Sequence, residues 1–119
     1  MTLIVMTCGI EMTLVVSNFY LAGSCCLVTE REAAAICFLV ARPWRSMRKY
    51  GDRGMRFVFL EAGAMAQNIA LVAVALGLGS VDCGSFYDDE VHETLDIDGV
   101  YETLIHAVFL GTPHGGTSG

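Results

Sequence analysis

The chain has 119 residues, the length of one small domain, and 54% of them are hydrophobic while only 17% are charged. This composition excludes a chain that is disordered throughout, because disordered segments are poor in hydrophobic residues. The formal net charge of −6 argues against general nucleic-acid binding. The high apolar content indicates a protein that buries most of its surface, pairs with another chain or touches a membrane.

The N-terminal segment, residues 1–28, is rich in Thr, Val, Ile and Leu, which predicts strands or a hairpin. Its one charged residue is Glu11, and no Lys or Arg precedes Arg31, so a secretory signal peptide is not indicated. Glu11 and Asn18 also interrupt the apolar run, whereas a membrane-spanning helix needs about 20 consecutive apolar residues. Membrane insertion is therefore the weaker alternative for this segment.

A short helix, a strand and a loop are predicted next. Thr29 precedes acidic residues and is suited to cap a helix over 29–32. The continuous apolar run 34–41 (AAICFLVA) predicts a buried strand, with a turn of buried helix as the alternative that periodicity does not separate. Pro43 ends this element, because it lacks a backbone donor and restricts the residue before it. Residues 44–53 (WRSMRKYGDR) are polar and basic, and they predict a loop.

The longest apolar segment runs from 54 to 76 and predicts a buried helix, which Gly77 ends. Glu61, Gln67 and Asn68 are expected to be buried hydrogen-bonding groups, and they favour a helix in a soluble core over a membrane span. Small residues recur at helical spacing, where they would let another helix approach closely: Ala62, Ala66, Ala70 and Ala73.

The last third of the chain predicts a strand, a helix and a strand. Residues 80–85 (SVDCGS) form the first strand and a turn, and Ser85 opens a capping-box pattern for a helix that runs to about Asp96. Residues 103–110 (TLIHAVFL) predict the final strand, and 114–119 a flexible tail. The order strand, long helix, strand, helix, strand indicates an α/β or α+β layered fold.

An ordered set of motifs lies within residues 49–91: a Lys-Tyr-Gly-x-Arg-Gly turn, Glu-Ala-Gly followed by Gln-Asn, Ala-Leu-Gly-Leu-Gly, and Gly-x-Phe-x-Asp-Asp. Together they resemble the second half of the SagB-type dehydrogenases of the nitroreductase superfamily. The resemblance implies an α+β, nitroreductase-like FMN-dependent fold that is truncated at the front. It divides the chain into an unassigned apolar segment (1–33), the nitroreductase/SagB-type C-terminal half (34–113) and the tail (114–119).

The resemblance also implies an activity. Members of this family bind FMN at a dimer interface and oxidise thiazolines and oxazolines in modified peptides to thiazoles and oxazoles. A Lys-Tyr pair is implicated in proton removal, and by resemblance it falls on Lys49 and Tyr50 as catalytic residues. The loop after the long helix follows the flavin ring, which puts Cys83, Gly84 and Ser85 at the cofactor. The expected partners are a peptide substrate and either a second copy in a homodimer or a missing N-terminal half.

The residues themselves leave alternatives open. Lys49 and Tyr50 are either a proton-handling pair or an exposed lysine beside a packing tyrosine. Adjacent side chains of a strand point to opposite faces, so on a strand the two residues would reach one substrate only if the segment were bent. Gly84 permits either a close approach to a flat ring or an ordinary strand-to-helix turn. Arg53 and Arg56 would face phosphate or form a structural ion pair with the acidic helix, and we prefer the ion pair.

Three functions compete. The Lys-Tyr-Gly turn favours the peptide oxidase over a general flavin nitroreductase. A non-catalytic truncated remnant, acting as an interaction module, is the third, because the Arg-Arg-Ser-type phosphate motif of the family's front half does not occur in the chain. The helix also carries Ala64 where the family commonly has His.

No metal site is predicted, because His92, His106 and His114 show no ligand spacing. His106, on a strand, is expected to be a paired core or interface residue. The five cysteines include no CxxC pair and their number is odd, which predicts reduced thiols in a cytoplasmic protein. Cys83 is expected more as a small packing residue than as a redox thiol.

Overall fold

The computed structural model describes residues 2–6, 10–16, 34–84 and 86–112, with side-chain surroundings from residue 34 onward. The helix predicted at 29–32 and the tail at 114–119 lie outside these residues. The elements in chain order are β1 (Thr2–Met6), β2 (Ile10–Val16), β3 (Ala35–Ala41), α1 (Pro43–Tyr50), α2 (Arg53–Ala75), β4 (Gly79–Cys83), α3 (Asp88–Leu95) and β5 (Thr103–Gly111).

The described strands form one antiparallel sheet in the order β1-β2-β3-β5-β4. β1 and β2 form a hairpin in which Met6 lies opposite Glu11, so the strands predicted in the N-terminal segment are confirmed for these residues. The predicted strands at 34–41 and 103–110 are confirmed as β3 and β5, which pair with each other inside the sheet. The predicted strand at 80–85 is confirmed as β4, which lies beside β5.

β3 is covered on both faces, since every residue from Ile36 to Ala41 is buried. Successive side chains of a strand point to opposite faces, so β3 contributes alternate residues to two cores. The core on the α3 side consists of Ile36, Phe38, Val40, Cys83, Val91, Leu104, Ala107 and Phe109. The core on the α2 side consists of Cys37, Leu39, Ala41, Val58, Ala62, Ala66 and Val108.

The long helix predicted at 54–76 is confirmed as α2, and a glycine ends it as expected. Gly77 adopts a left-handed φ of 74°, and its N–H donates to the Val74 carbonyl at 3.0 Å. The Leu78 N–H reaches back to the Ala73 carbonyl at 2.8 Å. These two bonds satisfy carbonyls of the last turn and direct the chain into β4.

One side of α2 is covered by the sheet. Ala62 and Ala66 lie in the α2-side core, because small side chains let the helix backbone approach the strands. The expectation that this stripe meets another helix is therefore wrong, and so is the burial expected for Gln67 and Asn68, which are exposed. Among the described helices, α2 alone is long and apolar enough to cross a membrane, a criterion that core helices also meet. Large apolar side chains are exposed elsewhere on it: Phe57, Phe59, Leu60, Leu71, Val72 and Val74.

Residues 44–53, predicted to form a loop, contain most of α1 instead. Pro43 ends β3, but it also takes the first helical position of α1, where its missing N–H needs no partner. α1 stops before Gly51, whose φ is 64° and whose N–H donates to the Met47 carbonyl at 2.7 Å. The prediction is wrong because a polar, basic composition does not distinguish a short exposed helix from a loop.

α3 starts later than its sequence pattern indicates. Tyr87 is its N-cap and makes no side-chain capping bond, and the capping box predicted from Ser85 falls on a residue outside the described part of the chain. Three acidic residues fill the first turn, where the helix dipole favours negative charge. The predicted end is confirmed, since Asp96 follows the last turn in a left-handed conformation with φ of 56°.

Candidate functional site

The last turn of α1 carries Lys49 and Tyr50, the predicted proton-handling pair. Adjacent residues of a helix are about 100° apart around its axis, so the Lys49 and Tyr50 side chains project from neighbouring sides of α1. On a strand they would have pointed to opposite faces. The Lys49 Nζ atom lies 5.2 Å from the centre of the Tyr50 ring, a cation–π distance. Both residues are exposed. The fold thus brings the pair together without the bent strand that the sequence required.

Tyr50 is also held against α2. Its ring meets the Phe57 ring edge-on, with centroids 5.0 Å apart and an interplanar angle of 81°. Aromatic pairs of this geometry are worth about 0.5–1.5 kcal/mol beyond their buried area. Tyr50 remains 49% exposed, so the contact orients the ring and leaves it accessible to a ligand.

α1 crosses the start of α2 with the two backbones in contact. A Cβ atom built on Gly54 would lie 2.6 Å from the backbone nitrogen of Met47 and 2.7 Å from the carbonyl carbon of Ser46. Real Cβ atoms do not approach other atoms so closely, and only a residue without a Cβ permits this crossing. Gly54 therefore fixes the last turn of α1 relative to α2 and to the sheet beneath it.

The predicted flavin loop begins where β4 ends. Cys83 is buried in the α3-side core, and its side chain is a packing group, as the sequence favoured. Cys37 is buried in the α2-side core, and its burial raises the pKa of its thiol. Gly84 is exposed, and a Cβ atom built on it would meet no atom within 4 Å. This open backbone suits the close approach of a flat ring. Ser85 lies outside the described residues.

The sheet topology makes the strands that precede the two predicted site segments run in the same direction. β3 and β4 are both antiparallel to β5, which lies between them, so they run in the same direction. Ala41 at the end of β3 pairs with Thr103, and Cys83 at the end of β4 pairs with Ala107. α1 and Gly84 therefore leave the sheet toward the same end.

His106 and Asp82 form a polar pair beside this loop. His106 Nε2 lies 3.1 Å from Asp82 Oδ1, and the His106 side chain is 28% exposed. Asp82 lies opposite Val108 in the β4–β5 register, two residues before Gly84. The expectation that His106 is paired is confirmed, but its partner was not identified from the sequence, because only the β4–β5 register brings the two residues together.

Known proteins resemble this chain in sequence and in fold. A model of the nitroreductase family matches residues 15–112. This chain belongs to the nitroreductase family. A nitroreductase-type protein of Methanocaldococcus jannaschii is 48% identical over 65 residues, which cover 55% of this chain and 33% of that protein. The chain therefore spans about a third of the length of this curated relative.

Two solved structures extend the comparison. The E. coli microcin synthetase McbBCD complex, with truncated pro-MccB17 bound, matches at a TM-score of 0.67 and 26% identity, over 69% of this chain and 31% of that chain. A nitroreductase family protein of Streptococcus pneumoniae TIGR4 matches at a TM-score of 0.76 over 93% of this chain and 72% of that chain. At 15% identity the second match shows the fold alone, and it confirms the nitroreductase-like α+β architecture.

The basic residues of this nitroreductase-family chain surround the Lys49–Tyr50 turn. Arg48 lies over the Trp44 ring, with 5.7 Å from its guanidinium carbon to the ring centre. The ion pair predicted for Arg53 and Arg56 is wrong for the part of the chain that the structure describes: both are exposed, and neither has an acidic partner there. The acidic α3 follows β4 and packs on the opposite face of the sheet from α2, which separates it from these arginines.

A tight turn after α3 leads the chain into β5. The N–H groups of Val100, Tyr101 and Glu102 donate to Asp98 Oδ1 at 2.9, 2.8 and 3.1 Å. These bonds favour the charged carboxylate, and they hold the pKa of Asp98 below its ordinary value, with the bond from Glu102 the largest cause. The Glu102 side chain in turn pairs with Arg42 at 3.5 Å, so the turn is tied to the junction of β3 and α1.

Proposed function

We propose that this chain is the C-terminal part of an FMN-dependent oxidoreductase of the SagB type, which oxidises azoline rings in a modified peptide to azoles. The observation that supports the proposal is the Lys49–Tyr50 pair on an exposed helical turn, 5.2 Å from amine to ring centre. The match to a microcin synthetase with truncated pro-MccB17 bound supports a peptide substrate over a small electron-poor compound.

Oxidation of an azoline removes two hydrogens from the ring, one as a proton and one as a hydride, and forms one double bond. FMN, when bound, accepts the hydride. We assign the proton to Lys49 as the general base, since a general base within hydrogen-bond reach of the substrate is what this step needs. Tyr50, held by Phe57 and lying under the Lys49 amine, keeps that amine in place and completes the proton-handling pair.

Gly84 and its neighbours would form one wall of the flavin site. The open space at Gly84 lets backbone reach a ring, where an amide tunes the electronics of the cofactor. Cys83 would contribute backbone only, because its side chain is buried, and Ser85 would continue the wall. We expect the phosphate of FMN to be held by donors from a second copy or from the rest of a longer protein, because the family's Arg-Arg-Ser-type motif does not occur in the sequence, with exposed Arg53 and Arg56 as the alternative within this chain.

A homodimer is the association that the apolar surface of α2 supports best. Exposed Phe59, Leu60 and Val74 leave a large apolar area in contact with water, and such areas are usually interfaces. Sedimentation of the purified chain at several concentrations tests this: a monomer at all concentrations contradicts the homodimer. We assign the protein to the cytoplasm, in keeping with the free thiol of Cys37.

The proposed activity is tested by flavin retention and turnover. The purified chain, mixed with FMN and passed through gel filtration, should elute with bound flavin and oxidise an azoline-containing peptide. Lys49→Ala should keep the flavin and lose about 10²–10⁴-fold in turnover, the usual contribution of a general base. Lys49→Arg is the matched control, because arginine keeps a long basic side chain beside Tyr50 but is not deprotonated in proteins and so does not act as a base. It should be as inactive as Lys49→Ala, and unchanged turnover in either variant contradicts the assignment.

A general flavin nitroreductase is the second candidate, favoured by 48% identity to a nitroreductase-type protein. Turnover of nitroaromatic compounds without turnover of azoline peptides would favour it. A chain that retains no flavin, even as a dimer, would instead favour a non-catalytic interaction module.

A further inference from the structure

α1 has a cationic outer face. Trp44, Arg45, Arg48 and Lys49 are all exposed, whereas Pro43, Ser46 and Met47 are half-buried toward the protein. Residues three and four apart are neighbours on a helix, so Arg45 lies beside Arg48 and Lys49. Arg53 and Arg56, in the first turn of α2, are also exposed. We name the set Trp44, Arg45, Arg48, Arg53 and Arg56 the basic face.

The charge of the basic face is not neutralised within the described residues. The ion pairs there are Arg42 with Glu102 and His106 with Asp82, and neither involves the basic face. Six of the seven basic residues of the chain fall between Arg42 and Arg56, although the chain as a whole carries a formal charge of −6. Like charges held close together destabilise the fold slightly unless a ligand offsets them, so the cluster points to an anionic ligand.

Aromatic rings lie among these cations. Trp44 is 44% exposed, with the Arg48 guanidinium over its ring, and Tyr50 is 49% exposed. Exposed tryptophan, tyrosine and arginine are the residues most enriched at the centres of protein–protein interfaces. The combination favours a peptide over a free inorganic anion, because a peptide supplies apolar groups for the rings as well as carboxylates for the arginines.

We propose that the basic face binds an acidic segment of the peptide substrate, next to the ring that Lys49 and Tyr50 act on; this inference rests on the proposed peptide oxidation. α1 has 8 residues and is therefore about 12 Å long. An extended peptide advances about 3.3–3.6 Å per residue, so roughly four residues would lie along it. Alternate side chains of that peptide are about 7 Å apart and one helical turn rises about 5.4 Å, so two acidic residues at alternate positions would lie over neighbouring turns with an offset of roughly 1–2 Å.

The size and surroundings of the basic face favour a peptide over a nucleic acid. A nucleic-acid surface contacts many phosphates and usually belongs to a basic domain. The basic face spans two short helical stretches on a chain of net charge −6, which repels a long polyanion and tolerates a short acidic segment.

Binding is measured by fluorescence anisotropy with the full-length chain and a labelled peptide in which Asp and Glu flank a serine. A second peptide has Asn and Gln at the same positions. Each exposed ion pair changes affinity by about 1.4- to 5-fold, so Arg45→Gln with Arg48→Gln should weaken binding of the acidic peptide by roughly 2- to 30-fold. The neutral peptide should bind the unaltered chain as weakly as the acidic peptide binds this variant. Salt should weaken the acidic complex, because the screening length falls from ~10 Å at 0.1 M to ~3 Å at 1 M.

The matched control is Thr94→Glu with Thr112→Glu, which changes the net charge by the same amount at two exposed positions, one on α3 across the sheet from α2 and one after β5. This control should bind the acidic peptide within about two-fold of the unaltered chain, since distant exposed charges are largely screened. Arg45→Glu with Arg48→Glu should reverse the preference and bind a lysine-flanked peptide more tightly than the acidic one. Thermal unfolding of every variant verifies that each one is folded.

Several results would overturn the inference: equal binding of the acidic and neutral peptides, an equal loss in the control variant, or tighter binding of single-stranded RNA than of the acidic peptide. Its failure is distinguishable from failure of the proposed function. If azoline peptides are oxidised with kcat/KM independent of acidic flanks, the docking inference falls and the activity stands. If the acidic peptide binds the basic face but no azoline is oxidised, the activity falls and the binding site stands as a peptide site of another kind.

Discussion

Replacing Gly54 with alanine tests the backbone crossing that positions the Lys49–Tyr50 turn. The added Cβ atom would lie 2.6, 2.7 and 2.8 Å from three backbone atoms of Ser46 and Met47, so rotation of a side chain does not relieve the contacts. Ordinary contacts of a Cβ atom begin at 3.4 Å, and α1 must therefore shift away from α2 to make room. Overpacking of a close contact typically lowers the free energy of unfolding by about 1–3 kcal/mol.

Gly63→Ala is the matched control for this substitution. Gly63 lies in the same helix, is exposed, and a Cβ atom built on it meets no atom within 4 Å. Alanine has the higher helix propensity, so Gly63→Ala should raise the free energy of unfolding by about 0.5–1 kcal/mol. Both variants gain helix propensity, and only Gly54→Ala creates the close contacts. The free energy of unfolding of Gly54→Ala should therefore be about 1–3 kcal/mol lower than that of Gly63→Ala.

Urea unfolding followed by circular dichroism measures both free energies under one set of conditions. A second measurement is the turnover of flavin-loaded Gly54→Ala, which should fall because the last turn of α1 moves with the helix. Equal free energies of unfolding for Gly54→Ala and Gly63→Ala would refute the close crossing, whatever happens to turnover.

Two further substitutions test the core and the turn before β5. Leu39→Ala should lower the free energy of unfolding by about 2–5 kcal/mol, because Leu39 is fully buried between the layers. Val100→Ala, at a position 75% exposed and outside the proposed dimer surface, should change it by about 0.5 kcal/mol or less in the same urea titration, and similar values would contradict the assigned core. The pKa of Asp98 is lower in the folded protein than its ordinary value. The Asp98 carboxylate therefore stabilises the fold at pH values above the ordinary pKa, and this stabilisation is lost as the pH falls through the lower, folded-state pKa. In Asp98→Asn the melting temperature should therefore fall less steeply below about pH 4 than in the unaltered protein. An equally steep fall in both proteins would show that Asp98 does not cause the loss of stability in acid.

The predicted site was only partly accessible from the sequence. Lys49, Tyr50 and Gly84 came from the family motif, and the structure adds the cation–π contact and the open space at the glycine. Their roles remain predictions. The His106–Asp82 pair has no local signature, because the two residues are 24 positions apart and meet only through the register of β4 and β5.

The sequence by itself determined the elements whose apolar residues are continuous or periodic. β3, β5 and α2 follow from such runs, and Gly77 and Pro43 mark element boundaries through their own backbone chemistry. These features are local, so neighbouring residues are enough to predict them.

Only the tertiary structure decided what the exposed and small residues do. The alanines of α2 recur on one side of the helix and would let either a helix or a sheet pack closely against it. In the fold that partner is the sheet. α1 is polar and too short to be stable alone, since isolated helices of fewer than ~12 residues are marginal in water. It exists because Gly54 lets it lie against the backbone of α2, a contact between segments that no local pattern contains. The orientation of Lys49 and Tyr50 follows from that packing.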